Sequence, residues 1–205
     1  MDRFPRVASV AAAAVVGLAF GGGVVWRVNG TSGERDDPVR AVRSPCNLAP
    51  AEPLDEALPG AVVVSSSGSG EPGEAWSASR ECALAPKGTA EPALTLRLTR
   101  YGAHREDTDP GKRERIVVRP GAERAAREFA AGLADDYGIC RLRTVTGIGE
   151  QAAACAGTYY DGQSPAYRLL ARRGDLVLSV VGVAGTAARR GPLGRLAAGV
   201  LEAGR

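Results

Sequence analysis

The sequence predicts an α+β domain: an antiparallel sheet of about five to six strands with helices packed on one face, preceded by a single transmembrane helix. Three observations predict it. Short apolar runs at strand period alternate with isolated amphipathic segments, which argues for a sheet carrying helices. Four cysteines at wide spacing suit a stapled exported domain. Near the start, Val7 to Trp26 carries no charge, and 15 of its 20 residues are hydrophobic.

At about 1.5 Å per residue such a segment spans the apolar thickness of a bilayer, so 7–26 is read as a membrane anchor behind a short tail, 1–6. A cleaved signal peptide is the alternative, with small residues at Ala19 and Gly21. The apolar run continues past them to Trp26, which favours the anchor. Arg27 to Pro45 mixes Gly, Ser, Asp, Arg and Pro without apolar periodicity and reads as a flexible linker, 27–45. The remaining residues, 46–205, are enough to bury a core.

Within that domain, Pro50 to Leu58 reads as a short helix ended by Pro59-Gly60, and Ala61 to Val64 as a buried strand. Ser65 to Gly73 reads as a flexible loop. Trp76 to Leu84 is the next strand; Leu94, Leu96 and Leu98 then alternate with polar residues in a half-buried one. His104 to Arg115 is a charged loop or hairpin tip before the apolar run Ile116 to Val118. A helix follows, opened at Pro120 and closed at Gly138, with Ala122, Ala126, Phe129, Leu133 and Tyr137 on one face. Glu123 with Arg127, and Arg124 with Glu128, are spaced to pair on its other face. Ile148 to Ala154 and Gly157 to Tyr160 are expected as strands around Cys155, with a helix as the alternative for the Ala-rich stretch. Tyr167 to Arg172 and Leu176 to Val183 flank Gly174-Asp175, a hairpin signal. Pro192 opens a last helix with Leu193, Leu196, Ala197, Val200 and Leu201 on one side.

The cysteines, Cys46, Cys82, Cys140 and Cys155, include no C-x-x-C pair, which argues against a zinc ribbon or a thioredoxin-type site. Of the three possible pairings, Cys46 with Cys82 and Cys140 with Cys155 is expected, because each would staple one local unit. Disulfides imply an oxidising compartment, so the domain is placed outside the membrane. The short basic N-terminus, resembling a signal, agrees with that orientation. Arg27, Arg35, Arg40 and Arg43 beyond the span pull the other way.

Net charge is +3, but from Cys46 onward eighteen arginines and two lysines face nineteen acids, a surplus of one. That does not make a polyanion-binding surface, and nucleic acid is not expected as a partner. One histidine and 5% aromatic residues leave few of the groups that usually perform catalysis, so an enzyme is not expected. Nor is a cofactor: Gly68-Ser69-Gly70-Glu71-Pro72-Gly73 spells G-x-G-x-x-G, but Pro72 removes a donor, Glu71 repels phosphate and a strand is expected next. Around Asp107 and Asp109 the loop is too basic, and too poor in ordered oxygen ligands, for calcium, and no metal is expected.

Pro45-Cys46-Asn47-Leu48, a second cysteine on a strand at Cys82, Gly147-Ile148-Gly149-Glu150-Gln151-Ala152 and the closing strand Gly174 to Val180 resemble a family of uncharacterised exported domains of high-GC bacteria. Its members are lipoproteins or single-span proteins, and they are similar in plan to the extracellular sensor domains of some bacterial receptor kinases. The resemblance implies extracytoplasmic location, disulfides, and binding or sensing; it supplies no catalytic residues. The chain differs from the lipoproteins in lacking a lipid-acceptor cysteine, and from the kinases in lacking a kinase domain.

The expectation is therefore a single-pass cell-membrane protein with its C-terminal domain outside, binding a small envelope ligand or a protein partner. Trp76, Arg100, Tyr101, His104, Tyr159 and Tyr160 are the candidate binding residues, since aromatic and arginine side chains anchor most interfaces. A cell-envelope hydrolase using Ser164 or the charged loop is the alternative, weakened by Pro165 after the serine and by His104 standing before it in the chain. A structural partner in a membrane assembly is the third reading, since Ala13, Gly17 and Gly21 have the small-residue spacing of packed spans.

Overall fold

The structure, a computed structural model, describes residues 39–70, 76–107, 116–134, 140–158, 165–183 and 190–205. The expected span at 7–26 lies outside them. Among the described residues, no helix is long and apolar enough to cross a membrane.

Two short helices open the described chain, α1 (Pro45–Leu48) and α2 (Ala51–Ala57), each with proline near its first turn, where the missing N–H costs nothing. Strands β1 (Ala61–Ser69), β2 (Ser77–Pro86) and β3 (Leu94–Tyr101) follow, then a separate hairpin of β4 (His104–Asp107) and β5 (Ile116–Arg119). Helix α3 (Gly121–Ala134) precedes β6 (Arg143–Val145), β7 (Gln151–Thr158), β8 (Pro165–Arg173) and β9 (Leu176–Val183), and helix α4 (Arg190–Ala203) ends the fold. Seven strands form one antiparallel sheet in the order β1-β2-β3-β9-β8-β7-β6.

The sheet therefore has more strands than the five to six expected. A three-residue strand, β6, carries no apolar run that would announce it. Ser65 to Ser69, expected as loop, is strand: β1 pairs with β2 as far as Ser69↔Ser79, with a bulge between Val63 and Ser65. Ala61 to Val64, expected as a buried strand, is instead the start of an edge strand exposed along almost all its length, Val62, Val63 and Val64 included, so backbone pairing, not side-chain burial, holds it. Around Cys155 a single strand, β7, replaces the two expected.

Helices cover both faces, not one. On the first face α1, α2 and α4 pack over Leu94, Leu96, Leu98, Leu169, Leu176, Leu178 and Val180, all essentially inaccessible. Leu193, Leu196, Ala197, Val200 and Leu201 of α4 are each at 0% exposure, as their spacing requires. Val39 and Val42, within the segment expected to be linker, belong to this core, so the packed chain begins ahead of Cys46. Cys46 of α1 is bonded to Cys82 of β2 on the same face, and Cys140 is bonded to Cys155 of β7. Both pairings are those expected from the sequence.

A smaller core forms on the other face, where Ala125 and Phe129 of α3 meet Ala153, Leu170 and Val177. The buried stripe of α3 is thus rotated from the one expected; Ala122 is exposed and Leu133 is 39% exposed. Gly121 sets the approach at its first turn: a Cβ there would lie 2.0 Å from the Tyr101 carbonyl oxygen, so only glycine lets α3 start against the end of β3. The β8–β9 hairpin turns through Gly174-Asp175 with Gly174 at φ +58°, matching its sequence signal.

Candidate functional site

Strand alternation sends the leucines of β3 to the first face and Thr95, Arg97, Thr99 and Tyr101 to the second. Cross-strand register then assembles polar rungs. Ser67, Glu81, Arg97 and Ser179 stand opposite one another across β1, β2, β3 and β9; Ser69, Ser79 and Thr99 form the next rung. Helix α3 covers only part of this face, and between its Glu128–Gly132 flank and the rungs lies a groove of about 520 Å³. Six serine and threonine hydroxyls, the Tyr101 phenol, Glu81, Glu128, Arg97 and Arg168 line it, with Leu170, Val177 and Val181 as its apolar floor.

The two groove arginines differ. Arg168 is buried at 5% exposure and donates to the Gly132 carbonyl at 3.4 Å, a contact that holds the last turn of α3 down on β8. Arg97 is exposed, and its Nε donates to Ser79 Oγ at 3.2 Å. Among the described residues, no carboxylate lies within ion-pair distance of Arg97. Burial, reinforced by the Glu128 carboxylate, pushes the Tyr101 phenol up to about 12, against the opposing pull of Arg97 and Arg124. At ordinary pH the phenol is therefore neutral and keeps its hydrogen to donate.

At the Tyr101 end the groove meets an aromatic cluster. The Trp76 and His104 rings lie 4.0 Å apart, tilted by 54°, and Trp76 is 53% exposed. Arg124 of α3 sits 5.7 Å from the centroids of both Trp76 and Tyr101, a cation–π arrangement, and its guanidinium donates to the Trp76 carbonyl at 3.0 Å. Arg124 is thus turned toward this cluster instead of toward Glu128, whereas the Glu123–Arg127 pair expected on α3 is present at 3.6 Å.

Of the residues singled out in the sequence, Trp76, Tyr101 and His104 come together here. Arg100 does not. It lies on the leucine-rich face at 7% exposure, donates to the Gly204 carbonyl at the end of α4, and has Nε 3.3 Å from Asp175, an ion pair without hydrogen-bond alignment. Its role is to tie the last helix to β3. Tyr159, Tyr160, Ser164 and Asp109 lie outside the described residues. Sequence reasoning missed Arg97, Arg124 and the hydroxyl rungs, because only strand register brings those residues into one surface. The polar positions alternating with Leu94, Leu96 and Leu98 were their one legible trace. Gly68 and Ser69 of the G-x-G-x-x-G match lie in strand β1, the next element described, β2, is a strand, and Glu71 to Gly73 of the match lie outside the described residues.

A second hollow, about 500 Å³, lies between the Val145–Ile148 segment and α4, with Ile148, Ala154 and Tyr167 in its wall. Its described lining is more apolar, with Arg195 as the one charged residue in it. Among the described residues, no group of three or more His, Cys, Asp or Glu side chains could hold a metal ion. No family model, curated protein or solved structure matches the chain.

Proposed function

We propose that this chain is a membrane-anchored, extracytoplasmic binding domain of sensor type, without catalytic activity, that takes a small polar ligand into the groove between α3 and the β2–β3–β9 surface. The observation that carries the reading is the groove itself: a concave, part-buried surface of convergent donors and acceptors on a rigid sheet, within the usual size range of ligand sites. The two disulfides support an oxidising location, and the apolar segment 7–26 supports attachment to a membrane. Against the hydrolase alternative, the described lining of the groove has neither histidine nor cysteine, the side chains most used for proton transfer and nucleophilic attack at neutral pH.

The test is a thermal-shift screen of small polar metabolites against the full chain in detergent and its Ser179→Trp variant, which fills the groove from β9. Stabilising ligands should lose their effect in the variant. A ligand that stabilises both proteins equally would remove the groove from the proposal. Thiol labelling of intact cells before and after reduction tests location, with label entering only after reduction, and with a membrane-impermeant reagent, as the expected result.

A further inference from the structure

We infer that the groove recognises a saccharide bearing a carboxylate, such as a uronic-acid unit, with Arg97 as the carboxylate-binding residue. The inference rests on the groove being the binding site and adds its ligand class. Three features of the surface converge on this chemistry.

The first is Arg97. Its Nε is held by Ser79, which orients the guanidinium, and no described carboxylate within ion-pair distance competes for its outer nitrogens. A planar guanidinium held in this way matches a carboxylate with two parallel hydrogen bonds. The second feature is the local charge. Glu81 stands directly opposite Arg97 on β2, and Glu128 overhangs the groove from α3. With Arg168 included, the described lining carries two positive and two negative groups, which balance. Such a surface lacks the excess positive charge that a phosphate dianion needs, and the attraction it offers an acidic sugar is the local one of Arg97 for a single ring's carboxylate.

The third feature is the hydroxyl content. Ser69, Ser77, Ser79, Thr95, Thr99 and Ser179 each donate and accept, as sugar hydroxyls do, while the glutamates only accept. About 520 Å³ is more than one sugar ring needs, so the groove suits a short chain of rings. Trp76, half exposed and braced by His104 and Arg124, adjoins the groove through Ser77 and Tyr101. It offers a flat apolar ring on which the less polar face of a terminal sugar can rest.

The experiment titrates the full chain in detergent with three probes, trigalacturonate, maltotriose and inorganic phosphate, following backbone amide shifts on β3 and β9 and measuring affinity by calorimetry. Trigalacturonate should bind saturably and more tightly than maltotriose, and phosphate should move nothing. Arg97→Gln should weaken trigalacturonate by roughly tenfold or more, the worth of a charge-assisted hydrogen bond, and weaken maltotriose by clearly less. Arg97→Lys, which keeps charge without the fork, should fall between. Equal affinity for the acidic and neutral sugars, an unchanged affinity in Arg97→Gln, or no groove shift with trigalacturonate would each overturn the inference. Those results leave the groove reading itself to the Ser179→Trp comparison, so the two failures are distinguishable. Unchanged thermal unfolding of Arg97→Gln shows that a lost affinity is not a lost fold.

Discussion

The two faces of the seven-stranded sheet are built by the same strands and do opposite things. Along β3 the odd-numbered positions Thr95, Arg97, Thr99 and Tyr101 look into an open groove, while Leu94, Leu96, Leu98 and Arg100 are sealed beneath α4. The sealed face is leucine packed on leucine, cross-linked by Cys46–Cys82 and fastened at the end of α4 by Arg43 and Arg100, which donate to the Ala203 and Gly204 carbonyls. Among the described residues the open face has a five-residue buried cluster under α3, and beyond it polar rungs line the groove. Stability is concentrated on one side of the sheet, which leaves the other side free to carry groups that contribute little to folding and much to recognition.

That division is sharpest where a single strand supplies both kinds of residue. Leu196→Ala, at 0% exposure in α4, should cost about 2–5 kcal/mol by lost transfer energy and a cavity, whereas Thr99→Ala on the open face should stay within about 0.5 kcal/mol. Chemical denaturation of the two variants measures both. Comparable costs would mean that the groove face is part of the stabilising core, and the contrast would be broken.

Two arginines three residues apart on β3 give the next comparison. Arg100→Gln removes a buried guanidinium from Asp175 and from the carbonyl at the end of α4 and should cost about 1–3 kcal/mol. Arg97→Gln gives up one hydrogen bond at an exposed position and should change stability by less than about 0.5 kcal/mol. Urea midpoints in the opposite order would place the structural arginine on the wrong face.

The smallest effect concerns Tyr101. Its phenol is raised to about 12 in the folded chain from 10.0. Folding therefore favours the protonated form, and this contribution is complete below pH 10, then lost as pH rises toward about 12. The ultraviolet absorbance of the phenolate should show one tyrosine titrating late, and that component should vanish in Tyr101→Phe. The same variant should flatten the loss of stability across that alkaline window. A Tyr101 that titrates near 10 would contradict its burial beside Glu128.

Much of the sealed face was legible in the sequence. The spacing of Leu193, Leu196, Ala197, Val200 and Leu201 marks a helix buried on one side, and the alternation of Leu94, Leu96 and Leu98 marks a half-buried strand, because apolar periodicity is a local property that burial imposes directly. Gly174-Asp175 announced its turn for a similarly local reason. The edge strand β1 beyond Val64 was not legible, since a serine-rich edge is held by its neighbour's backbone and leaves no pattern of its own. Helix α3 misled by about one residue in its buried stripe. In an alanine-rich helix several faces are equally apolar, and the tight start at Gly121 against Tyr101 selects among them.

For the candidate site, composition pointed to Trp76, Tyr101 and His104 as residues of the right type, and the structure does bring these three together. It separates Arg100 from them, because neighbours along a strand point to opposite faces. Local spacing thus encodes the α+β class and much of the helix and strand content of the leucine-rich core, while it favoured one of three cysteine pairings that the fold then made. Which arginine faces the groove, and that Glu81, Arg97, Ser179 and Glu128 share one surface, is settled by the packed fold. Those residues are far apart in the chain, and they meet only through strand register and the placement of α3.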